Sequence, residues 1–346
     1  MTDSSLDYDV IVIGGGPAGL TAAIALADAG ARTALLARRA PYADNRTTAL
    51  LGASTDILER LDVWRRCSDK AAALKTMRLV DDTGRLIRAP EVRFNSDEIG
   101  REQFGFNIDN RALVAALEER AGEIAALTRF DDEAAAVQPD DAGVTVVTRQ
   151  GQPLRARLVV GADGRNSLSR EAAGIEVVSR ALGQSALTFN ITHSRPHRNI
   201  STEFHTEHGP CVFVPLSGDR SSVVWVSTPK EAERLKALGD EELSEAAERQ
   251  SHSILGRVEV QPGRHVFPLA IERPRQFARN RIALVGESAH VLPPIGAQGL
   301  NMGLRDAADI AEIAGQAIGR GEDPGAPNVL ARYQAARRPE IGRAHV

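Results

Sequence analysis

The sequence predicts an α/β protein in which a Rossmann-like domain is interrupted by a mainly β insertion. Three observations carry this. A glycine-rich turn, Gly14-Gly15-Gly16-Pro17-Ala18-Gly19, joins an apolar run to an alanine-rich segment. From Gln184 to about Thr228 the pattern is of successive strands without a helical period between them. A strand followed by a long helical pattern returns near Arg281.

Asp9–Ile13 reads as a short buried strand and Pro17–Ala29 as a helix opened by proline. Arg32–Ala37 is a second strand. Ser54–Leu61 reads as a helix capped by Ser54, and Asn110–Gly122 as a helix capped by Asn110. Val137, Val144–Thr148 and Arg157–Val160 read as strands around the turn Asp140-Asp141-Ala142-Gly143. The insertion supplies strands Ser185–His193, Ile200–His205, Cys211–Pro215 and Ser222–Ser227, then helices Lys230–Leu238 and Asp240–Ser251. Arg281–Val285 returns to a buried strand, and Leu300–Gly319 reads as a long helix.

At 346 residues the chain is long enough for about two domains. Hydrophobic residues at 42% and charged residues at 25% exclude a disordered or fibrous chain. Only 4% are aromatic and the net charge is -4, which argues against nucleic acid as a partner. Cys67 and Cys211 make neither a disulfide framework nor a zinc site, and read as buried, inert thiols. No apolar run reaches the ~18 residues of a membrane span, and Met1–Asp9 lacks a basic leader region, so a cytoplasmic location is expected. His193, His197, His205 and His208 are expected to be solvated, with no metal site.

The chemistry lies in three turns, each after a predicted strand. Gly14, Gly16 and Gly19 match GxGxxG: Gly14 for the tight turn, Gly16 for close approach of a pyrophosphate, Gly19 for helix–strand packing. The helix opened by Pro17 and Ala18 turns its N-terminus to the phosphates. The carboxylate expected about 20 residues on is missing: its position falls near Ala37, followed by Arg38-Arg39. The second turn is Gly161-Ala162-Asp163-Gly164-Arg165-Asn166-Ser167, with Asn166 or Ser167 as a helix cap. The third is Gly286-Glu287-Ser288-Ala289-His290, followed by Pro293-Pro294-Ile295-Gly296-Ala297-Gln298-Gly299-Leu300-Asn301 at a helix start. A serine-hydrolase elbow at Ser288 is disfavoured, because His290 stands where its second glycine belongs.

Taken in order, these residues resemble the class A flavoprotein aromatic hydroxylases, the fold of p-hydroxybenzoate hydroxylase, and within them the ubiquinone-biosynthesis hydroxylases. The resemblance implies an FAD-binding domain and FAD contacts at Gly14, Gly16, Pro17, Ala18, Gly19, Arg38, Arg46, Arg111, Asp163, Gly286, Glu287, Gly299, Leu300 and Asn301. It places Pro293, Gly296 and Gln298 in the loop over the flavin ring as the residues nearest the chemistry. It implies NADPH or NADH as reductant and a small aromatic or prenylated phenolic substrate, hydroxylated with O2 through a flavin hydroperoxide. It also implies a quinone-biosynthesis complex and a peripheral contact with the inner membrane. The Gly/Pro loop and the β insertion are expected to wall the substrate cavity with mainly aliphatic side chains.

By this reading residues 1–75, 101–182 and 266–339 form the FAD-binding domain, and 76–100 with 183–265 the substrate domain. Two positions depart from the pattern: Ala37 has no carboxylate, and Glu287 stands for aspartate. They keep open a non-catalytic scaffold, beside a prenyl reductase or a halogenase; Trp64 and Trp225 are too far apart for the paired tryptophans of the last. Residues 340–346 match the translation of a sequencing adapter, and the chain is expected to be C-terminally truncated with a non-native tail.

Overall fold

A computed structural model describes residues 7–39 and 45–344, without the side chains of Ile295 and 340–344. Asp44, His345 and Val346 lie outside the described residues. The first sheet is eight-stranded. Its parallel centre runs Ile282–Leu284, Pro153–Gly161, Tyr8–Ile13, Thr33–Leu36, Leu127–Phe130. Tyr8–Ile13, Thr33–Leu36 and Ile282–Leu284 are short and apolar because both faces are covered. Helices α1 (Pro17–Asp28), α2 (Gly52–Arg60), α3 (Asn110–Glu123) and α4 (Leu168–Ala172) belong to this domain.

The second sheet, also eight-stranded, runs Val258–Val260, Val177–His193, Arg220–Ser227, Gly209–Leu216, Ile200–Thr206, Thr76–Asp81, Val92–Asn95. His265–Pro274 pairs with Val177–His193. By sheet membership, residues 177–182 and 266–274, expected with the FAD-binding segments, belong to this sheet instead. The continuous ladder Val177–Ala181 against Ala270–Pro274 carries them there. Helices α5 (Pro229–Ala237) and α6 (Asp240–Gln250) cover one face, on a core of Leu187, Phe189, Phe204, Phe213, Leu235 and Leu243. A small sheet, Thr47–Leu51, Gly105–Asp109 and Ala72–Leu74, bridges the two. Asn107 ties it to the second sheet through Pro215 O (2.9 Å) and Ser222 Oγ (3.2 Å). The chain closes with α7 (Gln298–Gly319) and α8 (Pro327–Ala344).

Several expected element starts move. α2 begins at Gly52 with Leu51 as N-cap, so Ser54 is not the cap but a buried residue of the first turn. Leu51 N–H is instead satisfied by Asn301 Oδ1 at 2.8 Å. Asp109, not Asn110, is the N-cap of α3; Asn110 Oδ1 accepts from the Thr48 hydroxyl at 2.5 Å. Ser167 does cap α4, its hydroxyl oxygen accepting from Arg170 N.

His193 and His197 are not solvated. His193 is buried beside Ser221 Oγ (3.0 Å), and His197 Nε2 binds the carbonyls of Leu216 and Gly218 (2.9 and 3.0 Å). The two rings meet edge to face and hold the turn before Arg220, a packing role. His205 and His208 are exposed, as expected. Burial pushes the Cys67 thiol up to about 11 and the Cys211 thiol well above its ordinary value, so both are inert near neutrality.

Candidate active site

The site is organised by two helices lying side by side. Gly303 of α7 packs where a Cβ would stand 3.2 Å from Ala18 Cβ, and Gly315 where one would stand 2.7 Å from Ala29 Cβ. The two contacts advance together along both chains, so α1 and α7 are parallel and their N-termini open at one end. Aligned on those contacts, α7 extends roughly 6 Å beyond the start of α1. Their combined positive ends make a site for an elongated anionic ligand, phosphates at α1 and a further charged group at α7.

The glycines of the first turn divide by what demands them. At Gly14 (φ +117°) a Cβ would lie 2.2 Å from Ala162 O, and at Gly19 one would lie 2.1 Å from Gly14 O. The protein itself requires these two. At Gly16 (φ -74°, ψ 172°) the backbone is one that any residue adopts, and a Cβ would meet nothing within 4 Å. The same openness holds at Gly299 in the first turn of α7. Both positions are bare toward the cleft in front of the paired helices, where a dinucleotide would lie, so the residues present fit FAD.

The Gly286–Glu287 loop is held from behind by a buried ionic network. Asp306 of α7 accepts from Gly286 N–H (2.9 Å), His290 Nε2 (2.7 Å) and Arg337 Nε of α8 (2.7 Å). Arg337 also donates to Asp309 (2.7 Å), and the Tyr333 hydroxyl donates to Leu284 O (2.7 Å). Burial alone would raise the Asp306 pKa, but the contacts with His290 and Arg337 and the Gly286 N–H outweigh it and hold it lowered. His290 therefore serves Asp306, not Ser288. The Ser288 hydroxyl lies against the carbonyls of Gly161 (2.6 Å) and Val285 (2.8 Å), which removes the hydrolase elbow on geometry.

Asp163 and Asn301, both expected to touch the cofactor, spend their polar atoms on the backbone and its neighbours. Asp163 accepts from the hydroxyls of Ser167 (2.5 Å) and Ser169 (3.0 Å) and from Ser169 N (2.9 Å), fixing the start of α4. Asn301 donates to Ala49 O and Ala297 O, both at 2.7 Å. Ala297 sits in the left-handed region (φ +54°), which costs about 1–2 kcal/mol without glycine, and Asn301 pins it there. Asp163→Ala is expected to cost about 2 kcal/mol, lowering the melting temperature of apoprotein and holoprotein together; equal melting curves for wild type and variant would contradict this role.

A cavity of about 410 Å³ lies between the second sheet and the Gly/Pro loop. The sheet contributes Ala186, Thr188, Asn190, Ser222 and Val224, the loop Val291, Leu292 and Pro294. Val223, Leu269 and Ala270 also line it, so the apolar part of the wall is mainly aliphatic as expected, with Phe189, His265 and Phe267 as its aromatic members. Arg46 lies over the Phe267 ring (5.4 Å to its centre), and Glu287 stands at the same cavity. Of the residues expected nearest the chemistry, Pro293, Gly296 and Gln298, not one is among its described lining residues; they carry the loop to the start of α7. Arg165 and Glu272 (2.7 Å) tie the second turn to the second sheet, and Glu272 pairs its backbone with Val291.

Arg111 binds Asn45 Oδ1 (3.0 Å) beside a neighbouring cavity of about 630 Å³, and Arg38 reaches Glu133 (3.5 Å) at the surface. At Ala37, where an acceptor was expected, the structure brings a donor: Arg129 Nη2 lies 3.3 Å from Ala37 O and 3.0 Å from Glu118. The network residues Asp306 and Arg337, the latch Arg165–Glu272, and Phe267 were not singled out from sequence. An aspartate on the apolar stripe of α7, at helical spacing from Met302 and Ile310, was the available signal for the first.

A parallel α/β sheet with a glycine turn, two convergent helix N-termini and a cavity against a second sheet defines a two-domain flavin-binding protein. The chain belongs to the FAD binding domain family, whose model matches residues 7–345, and FAD is its cofactor. Among its relatives is ubiquinone hydroxylase UbiL of Rhodospirillum rubrum, 34% identical over 96% of this chain and 78% of the relative. Another is 3-demethoxyubiquinol 3-hydroxylase of Escherichia coli, 28% identical over 95% of this chain and 85% of the relative. A crystal structure of PqsL, a probable FAD-dependent monooxygenase from Pseudomonas aeruginosa, has the same fold, with a TM-score of 0.84 at 23% identity, covering 97% of this chain and 93% of that one.

Proposed function

We propose that the chain is an FAD-dependent monooxygenase that hydroxylates the ring of a prenylated phenol in ubiquinone biosynthesis, using O2 and NADH or NADPH. The observation that carries this is the cavity: it lies between the flavin-binding loops and the second sheet, apolar on most sides but with Thr188, Asn190 and Ser222 on one wall. Bound FAD would relay two electrons from NADH or NADPH and supply the oxygen activation. The chain's own residues bind, orient and exclude water. The N-terminus of α7 stabilises negative charge in front of it. Phe189, Phe267, Val224 and Leu269 exclude water from around an aromatic ring, and the polar wall offers partners for its phenolic oxygen. Arg46 is held over the face of Phe267 in the cavity lining. The site residues inferred from sequence belong to this proposal as loop and cofactor-side positions.

A prenylated phenol resides in a bilayer, so a peripheral membrane contact and a quinone-biosynthesis complex accompany this reading. No helix of the described residues is long and apolar enough to cross a membrane. The test is deletion of the gene in its host followed by mass spectrometry of the quinone pool. The proposal expects loss of ubiquinone with accumulation of a precursor one ring hydroxyl short. An unchanged quinone pool would remove the pathway assignment.

A further inference from the structure

The hairpin formed by Thr76–Asp81 and Val92–Asn95 ends the second sheet, and its tip reads Thr83-Gly84-Arg85-Leu86-Ile87-Arg88-Ala89-Pro90. Leu86 and Ile87 are 102% and 87% exposed, the two most exposed large apolar side chains among the described residues. Loop residues this apolar are normally folded back onto the protein. Here they project, each with an arginine as its outer neighbour.

The local charges are one-sided. No acid occurs between Thr83 and Pro90. The three acids nearest the tip are already engaged: Asp81 accepts from Thr83 and Ala89, Asp82 accepts from Gln250 (2.8 Å) and lies against His252 Nε2 (3.0 Å), and Glu91 pairs with Arg93 (2.6 Å). Hydrogen bonds from the Ala89 backbone and Thr83 hold Asp81 to about 2, so it stays ionised and committed to the turn. Arg85 and Arg88 are left as the outward charge of the tip.

The apolar character continues down one side of the ribbon. Leu79 pairs with Val92 and Met77 with Phe94, and Val92 and Phe94 are exposed. This is the side of the sheet that walls the cavity. Thr188, in the cavity wall, is followed across the ladders by Val224, Val212, Glu203, Leu79 and Val92. From Val224 at the cavity to Val92 at the edge is four strand spacings, roughly 19 Å.

We propose that this hairpin is the surface by which the protein docks on an anionic lipid bilayer, Leu86 and Ile87 entering the acyl boundary while Arg85 and Arg88 meet lipid phosphates. A narrow, projecting apolar tip rimmed by cations fits an interface that is apolar inside and anionic at its rim. A second copy of the chain is a poor match, because a stable protein interface needs about 20–30 residues a side and this ribbon offers a handful. The proposal rests on the reading above for the membrane-borne substrate, and names the surface that reaches it.

The test is co-sedimentation of the FAD-loaded protein with vesicles of phosphatidylcholine alone and of phosphatidylcholine with phosphatidylglycerol. Wild type is expected to bind the anionic vesicles, weakening with salt. Leu86→Asp with Ile87→Asp, and separately Arg85→Glu with Arg88→Glu, are each expected to lower that binding by at least about ten-fold. FAD content and NAD(P)H oxidation with a short-chain, water-soluble phenol should not change. Absence of vesicle binding by wild type would overturn the proposal, as would variants that bind like wild type. A loss of self-association in gel filtration, with vesicle binding intact, would assign the tip to a second copy and equally overturn it. Vesicle binding reads no turnover, so hairpin-dependent binding would uphold this surface even if no quinone precursor were hydroxylated.

Discussion

Replacing Asp306 with alanine is expected to cost about 3–5 kcal/mol of stability, the range for removing one partner of a fully buried ion pair. The substitution strands three donors at once, Gly286 N–H, His290 Nε2 and the Arg337 guanidinium, in a region that water does not reach. Chemical denaturation of the apoprotein should show the loss directly. Asp306→Asn keeps the volume but not the charge, and should fall between the two. The pH dependence has a definite sign. The folded pKa lies below the ordinary aspartate value, so the contribution of Asp306 is complete above that ordinary value and is lost as pH falls through the depressed one. The acid limb of the stability profile should therefore flatten in Asp306→Asn. Because the network joins α8 to the Gly286 loop, the variants should also release FAD faster. A variant with wild-type stability and FAD retention would remove Asp306 as the support of that loop.

The second large effect separates cofactor from fold. Gly16→Val should leave the apoprotein's melting temperature within about a degree or two, since its backbone suits any residue and its Cβ meets no protein atom. Its FAD affinity should nonetheless fall by a hundred-fold or more. The side chain would stand where the pyrophosphate approaches, at the loss of at least two charge-assisted hydrogen bonds, about 3–6 kcal/mol. Gly19→Ala is the contrasting case: its Cβ would strike Gly14 O, so the apoprotein itself should be destabilised. Isothermal titration with FAD, beside melting of the apoproteins, reads both. Equal FAD affinity in Gly16→Val and wild type would show that the cleft before α1 is not the phosphate site.

The layout of the first domain was legible because its demands are local. Gly19 is required by Gly14 O of the same strand–turn–helix unit and Gly14 by its own φ of +117°, and a glycine pattern records both; the approach of Ala162 O to Gly14 comes from across the sheet. The strands of the insertion were legible from their alternation. Helix starts were less so. Leu51 and Asp109 are caps whose hydrogen bonds come from distant backbone or side chains, so Ser54 and Asn110 were the better local candidates and still not the caps. His193 and His197 look like loop histidines in sequence, and only the folding of Leu216–Gly218 over them makes them structural.

The supports of the site were the least legible part. Asp306, His290 and Arg337 converge from positions 16 and 31 residues apart, with no short motif between them. Asp163 and Asn301 are polar residues in the expected turns, and their side chains also hydrogen-bond the protein chain around them, which no motif spells out. A motif records position and residue type; it does not record which atom a side chain has already spent. The membership of 266–274 in the second sheet follows from a pairing partner some 90 residues away, which local pattern cannot supply.

The central claim is that this chain holds FAD before α1 and α7 and hydroxylates an aromatic ring in the adjoining cavity. Its most direct test is the mass of the product formed from a prenylated phenolic quinone precursor by FAD-loaded protein, with NADH or NADPH, under isotopically heavy dioxygen. The account predicts a product carrying one heavy oxygen atom on the ring, absent when FAD is omitted. Oxidation of the nicotinamide with every precursor returned unlabelled would contradict it.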